Sequence, residues 1–351
     1  MDHYRAYNQA VEDNDLIAAD QHGEAAWRAA EDEWGDAQET AVLALNLARL
    51  RIDEGNAADA REPARRALEL AEVGLLDGAA SIVDAELLAA TADVADGRAR
   101  RGELERLRSA ITAYAQDAAQ GEDLSARAEL VMAQGLLEND EAVEAAEHAR
   151  HVVEIAAALG AGYEALAIEG AVLEGAAHMT GRNASDAHAA FDMAAEMFPD
   201  DARAANSTAF AEVSAWRSLA ARIDEVSTEP VADDQVCRSR GGVFTRAANI
   251  FLDDDLPPEL NCGEWEGRVP PQYPHTAAEQ VIEGAVVIVY SLDADGRVED
   301  ARVAAEAPVT DVPWDALSIR SMSEWRRNLP PDAPPACRAP QSTTFTFVIR
   351  C

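Results

Sequence analysis

His148 and His151 are spaced so that one face of a helix could hold a metal ion. They lie three positions apart in a stretch with helical periodicity, with Glu144 and Glu147 nearby. Imidazole and carboxylate groups are the ligands that divalent transition metals prefer. A solvated helix face explains the same residues, and we predict that the chain holds no metal and no cofactor.

The remaining polar residues form no recognisable catalytic frame. His178 and His188 have no partner motif, and the aspartates at 253–255 lack the spaced ligands and glycine of a calcium loop. The chain contains no lysine, which excludes a Schiff-base lysine and the lysine of a phosphate-binding loop. Motifs of serine hydrolases and zinc proteases are absent as well. We therefore predict that the protein is not an enzyme.

Four cysteines, Cys237, Cys262, Cys337 and Cys351, all lie in the last third of the chain. An even number without zinc-type spacing favours disulfides, and hence an oxidising compartment such as the periplasm. Four free thiols in a cytosolic protein are the alternative. Three complete pairings are possible, and among the individual bonds Cys237–Cys262 is favoured because it closes a short irregular loop. Pairing Cys337 with Cys351 is disfavoured, because a strand over 343–350 would span about 23 Å.

The charge balance excludes several classes of partner. The 351 residues include 65 acidic and 29 basic ones, for a formal net charge of −36. Binding to nucleic acid or to anionic lipid needs clustered cations, so we predict neither. No run of 18 apolar residues occurs, which predicts no membrane span, and the polar first fifteen residues do not resemble a secretory signal.

Composition changes near residue 230 and predicts two domains. Residues 1–230 hold 46 of the acidic residues and three of the 15 prolines, and they are rich in helix-forming Ala, Leu and Glu. The rest carries β-branched and aromatic runs. We predict an α+β chain with a helical domain over 1–228, a cysteine-containing linker over 229–267 and a small α/β domain over 268–351.

The first half repeats with a period of 42 residues. Turn-like pairs recur at that interval, at 13–14, 55–56, 97–98, 139–140 and 181–182. The residue thirteen positions after each turn is apolar, at Ala26, Leu68, Ala110, Val152 and Ala194. A 42-residue unit fits two helices and two short connections, and such hairpins bury their apolar faces only by stacking into a solenoid.

The repeat resembles the tetratricopeptide family over about residues 1–225. Its best instance consists of small, aromatic and helix-ending residues at that family's spacing, namely Gly175, Ala187, Phe191, Ala194 and Pro199. The period exceeds the usual 34 residues, which implies longer helices. The resemblance implies a groove for a protein partner, and the acidic charge suits a neutral or basic peptide. A generic helical array, with its acid serving only as a solvated surface, is the alternative.

The C-terminal part predicts the order strand, strand, helix, strand. Residues 285–290 are continuously apolar, and Asp295-Gly296 is a hairpin signal before an alternating strand over 298–303. Pro313-Trp314-Asp315 opens a helix that carries Met322 and Trp325. Over residues 343–349 the side chains alternate so that Phe345 and Phe347 fall on one face, as expected for a last strand.

Residues 268–350 resemble the C-terminal domain of the TonB energy-transducer family. The matching motifs appear in the family's order: Pro271-Gln272-Tyr273-Pro274, Ile282-Glu283-Gly284, Asp295-Gly296-Arg297-Val298, then Met322 and Trp325-Arg326 before Pro330, and an aromatic last strand. The resemblance implies capture of an extended peptide, such as the TonB box of an outer-membrane transporter, by β-augmentation on the last strand.

This resemblance also implies the site. The edge would consist of Thr343, Thr344, Phe345, Thr346, Phe347, Val348 and Ile349. Tyr273 and Pro274 would lie beside the peptide, although a packed Tyr273 is an equal alternative. The chain shows neither the membrane helix nor the long proline-rich spacer of the family's transducers.

The predicted function is therefore periplasmic protein binding. The last strand would capture a strand of an envelope protein, and the helical repeats would offer a second surface, with a link to TonB-dependent transport. The alternative is a structural adaptor, in which the repeats bind the partner and the C-terminal domain forms a homodimer through its edge strand.

Overall fold

The computed structural model describes residues 2–76, 81–95, 99–116, 122–204, 207–228, 247–254, 262–274, 277, 280 and 282–350. The chain divides into two compact units, Met1–Gly181 and Arg182–Cys351. Nine helices are described in the first unit: α1 (Asp2–Glu12), α2 (Leu16–Trp34), α3 (Gln38–Asp53), α4 (Arg61–Glu72), α5 (Ile82–Val94), α6 (Arg101–Gln116), α7 (Glu122–Glu138), α8 (Ala142–Leu159) and α9 (Glu164–Thr180).

The turns that recur every 42 residues contain residues in the left-handed backbone region, which ends the preceding helices. Asn14, Gly55, Asp140 and Arg182 have φ of 54°, 78°, 61° and 59°. Three of these four residues are Asn, Gly or Asp, which tolerate this region better than most residues, and this explains why the period is visible in the sequence. The pair at 97–98 lies outside the described residues.

The helices of the first unit stack as a repeat array. Each packs against the next along the chain, and α3, α5, α7 and α9 also contact one another at every second helix. The predicted core positions Ala26, Ala110 and Val152 are buried, and Leu68 is partly buried. Small residues permit the close approach: a Cβ on Gly170 would lie 3.0 Å from that of Val152. The prediction of a helical repeat array is thus confirmed.

The second unit combines helices with two antiparallel sheets. Its elements are α10 (Ala184–Met197), α11 (Asp200–Ala204), α12 (Thr208–Thr228), β1 (Ala247–Asp254), β2 (Trp265–Glu266), β3 (Gly284–Leu292), β4 (Val298–Ala307), α13 (Trp314–Met322), β5 (Arg326–Arg327), a 3₁₀ turn (Pro335–Cys337) and β6 (Gln341–Arg350). The larger sheet has the order β1-β6-β3-β4, and β2 pairs with β5.

Helices cover both faces of the larger sheet. On one face, Phe345 and Phe347 of β6 form a core with Trp314, Met322 and Trp325, and α13 packs there on β3 and β4. On the other face, α12 packs on β3, β4 and β6. Eight of the nine residues of β3 are consequently buried.

The predicted strands and helix of the C-terminal region are present, with corrections at their borders. The helix ends at Met322, so Trp325 lies beyond it and packs into the core from the segment before β5. The predicted linker 229–267 contains a strand, β1, that belongs to the sheet. The α+β layout with two compact parts is confirmed, while the exact domain bounds stay a prediction. Among the described helices, none is both long and apolar enough to cross a membrane.

The β3–β4 hairpin turn depends on Gly296, which has φ of +77°. A Cβ added at Gly296 would lie 2.0 Å from the Arg327 carbonyl oxygen. Gly267 also has a positive φ, of +66°, but a Cβ added there would lie 3.2 Å from the Glu324 carbonyl oxygen. Positive φ alone costs a non-glycine residue about 1–2 kcal/mol. We expect Gly267→Ala to lose about that much unfolding free energy and Gly296→Ala clearly more.

Urea denaturation of the full chain, followed by tryptophan fluorescence, measures both variants. Equal losses in the two variants would show that the close approach of Arg327 contributes nothing to stability.

Candidate partner-binding site

The last strand, β6, lies in the interior of the sheet. Residues 247–254 pair antiparallel with residues 343–350, so that Ala247 faces Arg350 and Asp254 faces Thr343. On its other side, β6 pairs with β3 from Gln341 to Phe347. The expectation that 343–349 forms a free edge is therefore not met, because β1 occupies the flank on which a partner strand was expected.

The side chains of residues 343–349 in β6 are all buried in the fold. Phe345 and Phe347 are buried in the core beneath α13, and Thr344, Thr346 and Val348 are buried on the opposite face. Alternation along the strand forces this division. A partner could reach these residues only through their main-chain groups on the flank that β1 occupies.

Tyr273 is built into the core rather than presented to solvent. Its hydroxyl donates a hydrogen bond of 2.7 Å to the Ile282 carbonyl oxygen. Its ring meets the rings of Trp314 and Phe347 edge to face, with centroids 5.5 and 5.8 Å away. Burial raises the pKa of Tyr273, and the Glu283 carboxylate raises that pKa further. Pro274 is half-buried beside it. These contacts favour the packed alternative for Tyr273.

Glu283 is a residue of this site that is visible in the sequence only as part of the motif Ile282-Glu283-Gly284. Its carboxylate accepts a hydrogen bond of 2.8 Å from the Ile349 N–H. The main-chain ladder between β3 and β6 ends at the Gly284–Phe347 pair. The glutamate therefore satisfies a strand donor just beyond that ladder. Burial raises the pKa of Glu283, and the hydrogen bond from Ile349 opposes that shift.

This raised pKa predicts a pH-dependent cost. A carboxyl group whose folded-state pKa lies above its ordinary 4.5 stabilises the folded state when it is protonated. This stabilisation is lost as the pH rises through the folded-state pKa. Glutamine keeps the acceptor oxygen and stays neutral. We expect Glu283→Gln to gain unfolding free energy relative to wild type between pH 5 and pH 7.5.

Chemical denaturation at both pH values measures the difference, and Glu299→Gln at an exposed position of β4 is the control. A difference between Glu283→Gln and wild type that is the same at both pH values would contradict the assignment.

A disulfide joins Cys262 to Cys337, 75 residues apart. The favoured pairing of Cys262 with Cys237 is thus wrong in this structure. Sequence proximity was a poor guide, because the chain before β2 runs alongside the segment that follows β5, where Asn328 N–H donates to the Glu264 carbonyl oxygen at 2.8 Å. Cys237 and Cys351 lie outside the described residues.

Closing so long a loop should stabilise the folded state substantially. The chain-entropy relation gives about 4.5 kcal/mol for this separation. We expect Cys262→Ser/Cys337→Ser to lose roughly that unfolding free energy in urea, and peptide mapping of the unreduced wild type to yield a linked pair containing both cysteines. A linked Cys237–Cys262 pair would contradict the observed connectivity.

The first unit offers two further features. A pocket of about 370 Å³ between α1, α2 and α3 is lined by Tyr4, Trp34 and Val42 together with the carboxylates of Glu33 and Glu39. Between α7 and α8, Glu129 lies beside His148 and His151, whose ring nitrogens approach its carboxylate.

Comparison with known proteins assigns the C-terminal region to a family. Residues 269–349 match the family model described as Gram-negative bacterial TonB protein C-terminal. The match covers less than a quarter of the chain and includes β3, β4, α13 and β6 but not β1 or α12. No curated protein matches the chain. The resemblance inferred from the sequence motifs is thereby confirmed for this region.

Proposed function

We propose, from the match of residues 269–349 to the TonB C-terminal family, that this chain is a protein-binding module of the Gram-negative cell envelope. It captures an extended segment of an envelope protein, such as the TonB box of an outer-membrane transporter, by β-augmentation on β6. The disulfide between Cys262 and Cys337 supports a periplasmic location. The module performs no catalysis in this proposal.

The observation that carries the proposal is the ladder between β1 and β6. This flank of β6 already accepts an eight-residue extended segment, antiparallel and in continuous register. The matched family region ends before β1 on its N-terminal side, so the sheet takes this strand from outside that region. β1 thus stands where a captured strand would stand, and capture is an exchange of β1 for the partner.

An intramolecular competitor lowers the apparent affinity of the partner. A tethered strand has an effective concentration in the millimolar range for short flexible connections, and a free peptide must compete with it. The chain in this form therefore binds weakly until β1 leaves, and release of β1 controls capture.

The helical array supplies a second protein-binding surface in this proposal. Tyr4 and Trp34 line the 370 Å³ pocket and are 40% and 41% exposed, which is high for large aromatic side chains. Exposed aromatic residues are enriched where proteins bind one another. Glu33 and Glu39 beside them favour a segment that is neutral or basic.

Two prolines in β1 test the exchange. Only alternate N–H groups of an antiparallel strand face a given neighbour, so Ile250→Pro/Phe251→Pro removes one that faces β6. We expect a labelled peptide with the sequence of residues 247–254 to bind this variant at least tenfold more tightly than wild type. A TonB-box peptide should compete with the labelled peptide.

The matched control is Ile250→Val/Phe251→Leu, which keeps every N–H group and should bind like wild type. Fluorescence anisotropy measures binding, and circular dichroism verifies the fold. A folded proline variant that binds neither peptide would refute capture on β6. A wild-type dimer that the prolines dissociate, seen by light scattering, would support the adaptor alternative instead.

A further inference from the structure

A carboxylate and two imidazoles converge between α7 and α8 in the helical array. The Nδ1 atom of His148 is hydrogen-bonded to Glu129 Oε2, and Nδ1 of His151 lies 3.8 Å from Glu129 Oε1. One potential ligand atom from each residue lies within 4.8 Å of the other two. Within the described parts of the chain, this is the one group of three or more such side chains that meets this condition.

Burial makes the charge of Glu129 costly unless a cation compensates it. Its side chain is 8% exposed, and the partners that the structure gives it are the two histidines. Glu174, a second buried glutamate, instead accepts hydrogen bonds from the Arg150 guanidinium at 2.9 and 2.7 Å. An imidazole carries a full positive charge only when it is protonated, whereas a guanidinium is always charged, so Glu129 has a weaker counterpart than Glu174.

The surroundings of His148 suit a ligand role for its Nδ1 atom. On the other side of the ring, Nε2 lies 3.9 Å from Glu144 Oε1, and Glu144 is itself paired with Arg108. When a metal replaces the hydrogen on Nδ1, the nearby Glu144 carboxylate favours the tautomer with its hydrogen on Nε2. Metal-bound histidines commonly donate a hydrogen bond to an outer carboxylate, and a shift of the Glu144 side chain toward Nε2 would make that bond.

We propose that Glu129, His148 and His151 form a Zn²⁺ site that ties α7 to α8, with water as the fourth ligand. Tetrahedral zinc with ligand bonds of about 2.0–2.2 Å places its ligand atoms roughly 3.4 Å apart, close to the 3.8 Å between His151 and Glu129. The metal takes the place of the proton between His148 and Glu129, and that proton leaves to solvent. His151, which is 54% exposed, leaves the site open to entering metal.

The sequence carried only part of this signal. His148 and His151 are visible as a pair three residues apart, but Glu129 lies 19 residues before His148 on another helix. The helical hairpin brings the carboxylate to the histidines. Without it, the pair reads as a solvated helix face.

Zinc titration of the tag-free full chain tests the site. After removal of metal by chelator, we expect calorimetry to give one Zn²⁺ per chain and a raised melting temperature. His148→Ala/His151→Ala and the isosteric Glu129→Gln should each weaken binding at least tenfold. Glu144→Gln should weaken it about tenfold with unchanged stoichiometry, as loss of an outer partner does.

The matched control is His3→Ala/His22→Ala, which removes another close pair of histidines, with ring centroids 6.2 Å apart. It should bind zinc like wild type. Cobalt substitution should give the visible bands of nitrogen and oxygen ligands without thiolate charge-transfer absorption. Circular dichroism verifies folding. If the double alanine variant is unfolded, the zinc affinity of Glu129→Gln provides the test in its place. Zinc binding that survives Glu129→Gln, follows the control pair or shows thiolate absorption would overturn the assignment, as would the absence of binding.

Discussion

The pairing of β3 with β6 is the contact on which the C-terminal unit depends, because both strands are buried on both faces. The residues of β3 alternate between the aromatic core under α13 and the opposite face under α12. A strand in this position needs two covering layers and a neighbour on each flank to satisfy its backbone groups. The structure meets that requirement with α12 on one face, α13 on the other, β4 beside β3 and β1 beside β6.

The sequence predicted those parts of the unit whose signals are local. The hairpin at Asp295-Gly296, the helix opened by Trp314 and the alternating run at 343–349 depend on neighbouring residues, and each is found. The continuous apolar run at 285–290 indicated a strand and also a need for cover on both of its faces. A strand without polar alternation is buried on both faces, so a covering helix from elsewhere in the chain was required. That helix is α12, which composition assigned to the repeat array.

Other features could not be predicted because they depend on contacts that are distant in sequence. β1 lies in a segment whose composition resembles a linker, and only its register against β6 makes it a strand of the sheet. The partner of Cys262 was misjudged for the same reason, since Cys337 is far along the chain but near in the fold. Glu129 likewise comes beside His148 and His151 only when α7 packs against α8. Strand and helix types are local properties, whereas flanks, disulfides and clusters are properties of topology.

The helical array compensates part of its acidity with arginine in a consistent way. Arg66 of α4 bonds to Glu31 at 2.6 Å and Asp36 at 2.7 Å, and Arg51 of α3 bonds to Asp20 at 2.6 Å. These pairs join α3 or α4 to α2 or to the turn after α2. The planar guanidinium can bond to two carboxylates at once. Each exposed pair adds little stability, but together they fix how neighbouring helices align. Glu129 departs from this pattern, which is why its histidines stand out.

The proposed exchange of β1 for a partner strand would have an energetic consequence for specificity. Both strands would make the same main-chain hydrogen bonds to β6, so these bonds nearly cancel when one replaces the other. The tether of β1 then favours the closed form. A partner can win only through contacts that β1 lacks, either from its own side chains or from a second attachment on the helical array. A free edge would accept any extended segment, whereas an occupied edge accepts only those that bring additional contacts. In the proposed exchange, the occupied flank of β6 would therefore confer selectivity at the expense of affinity.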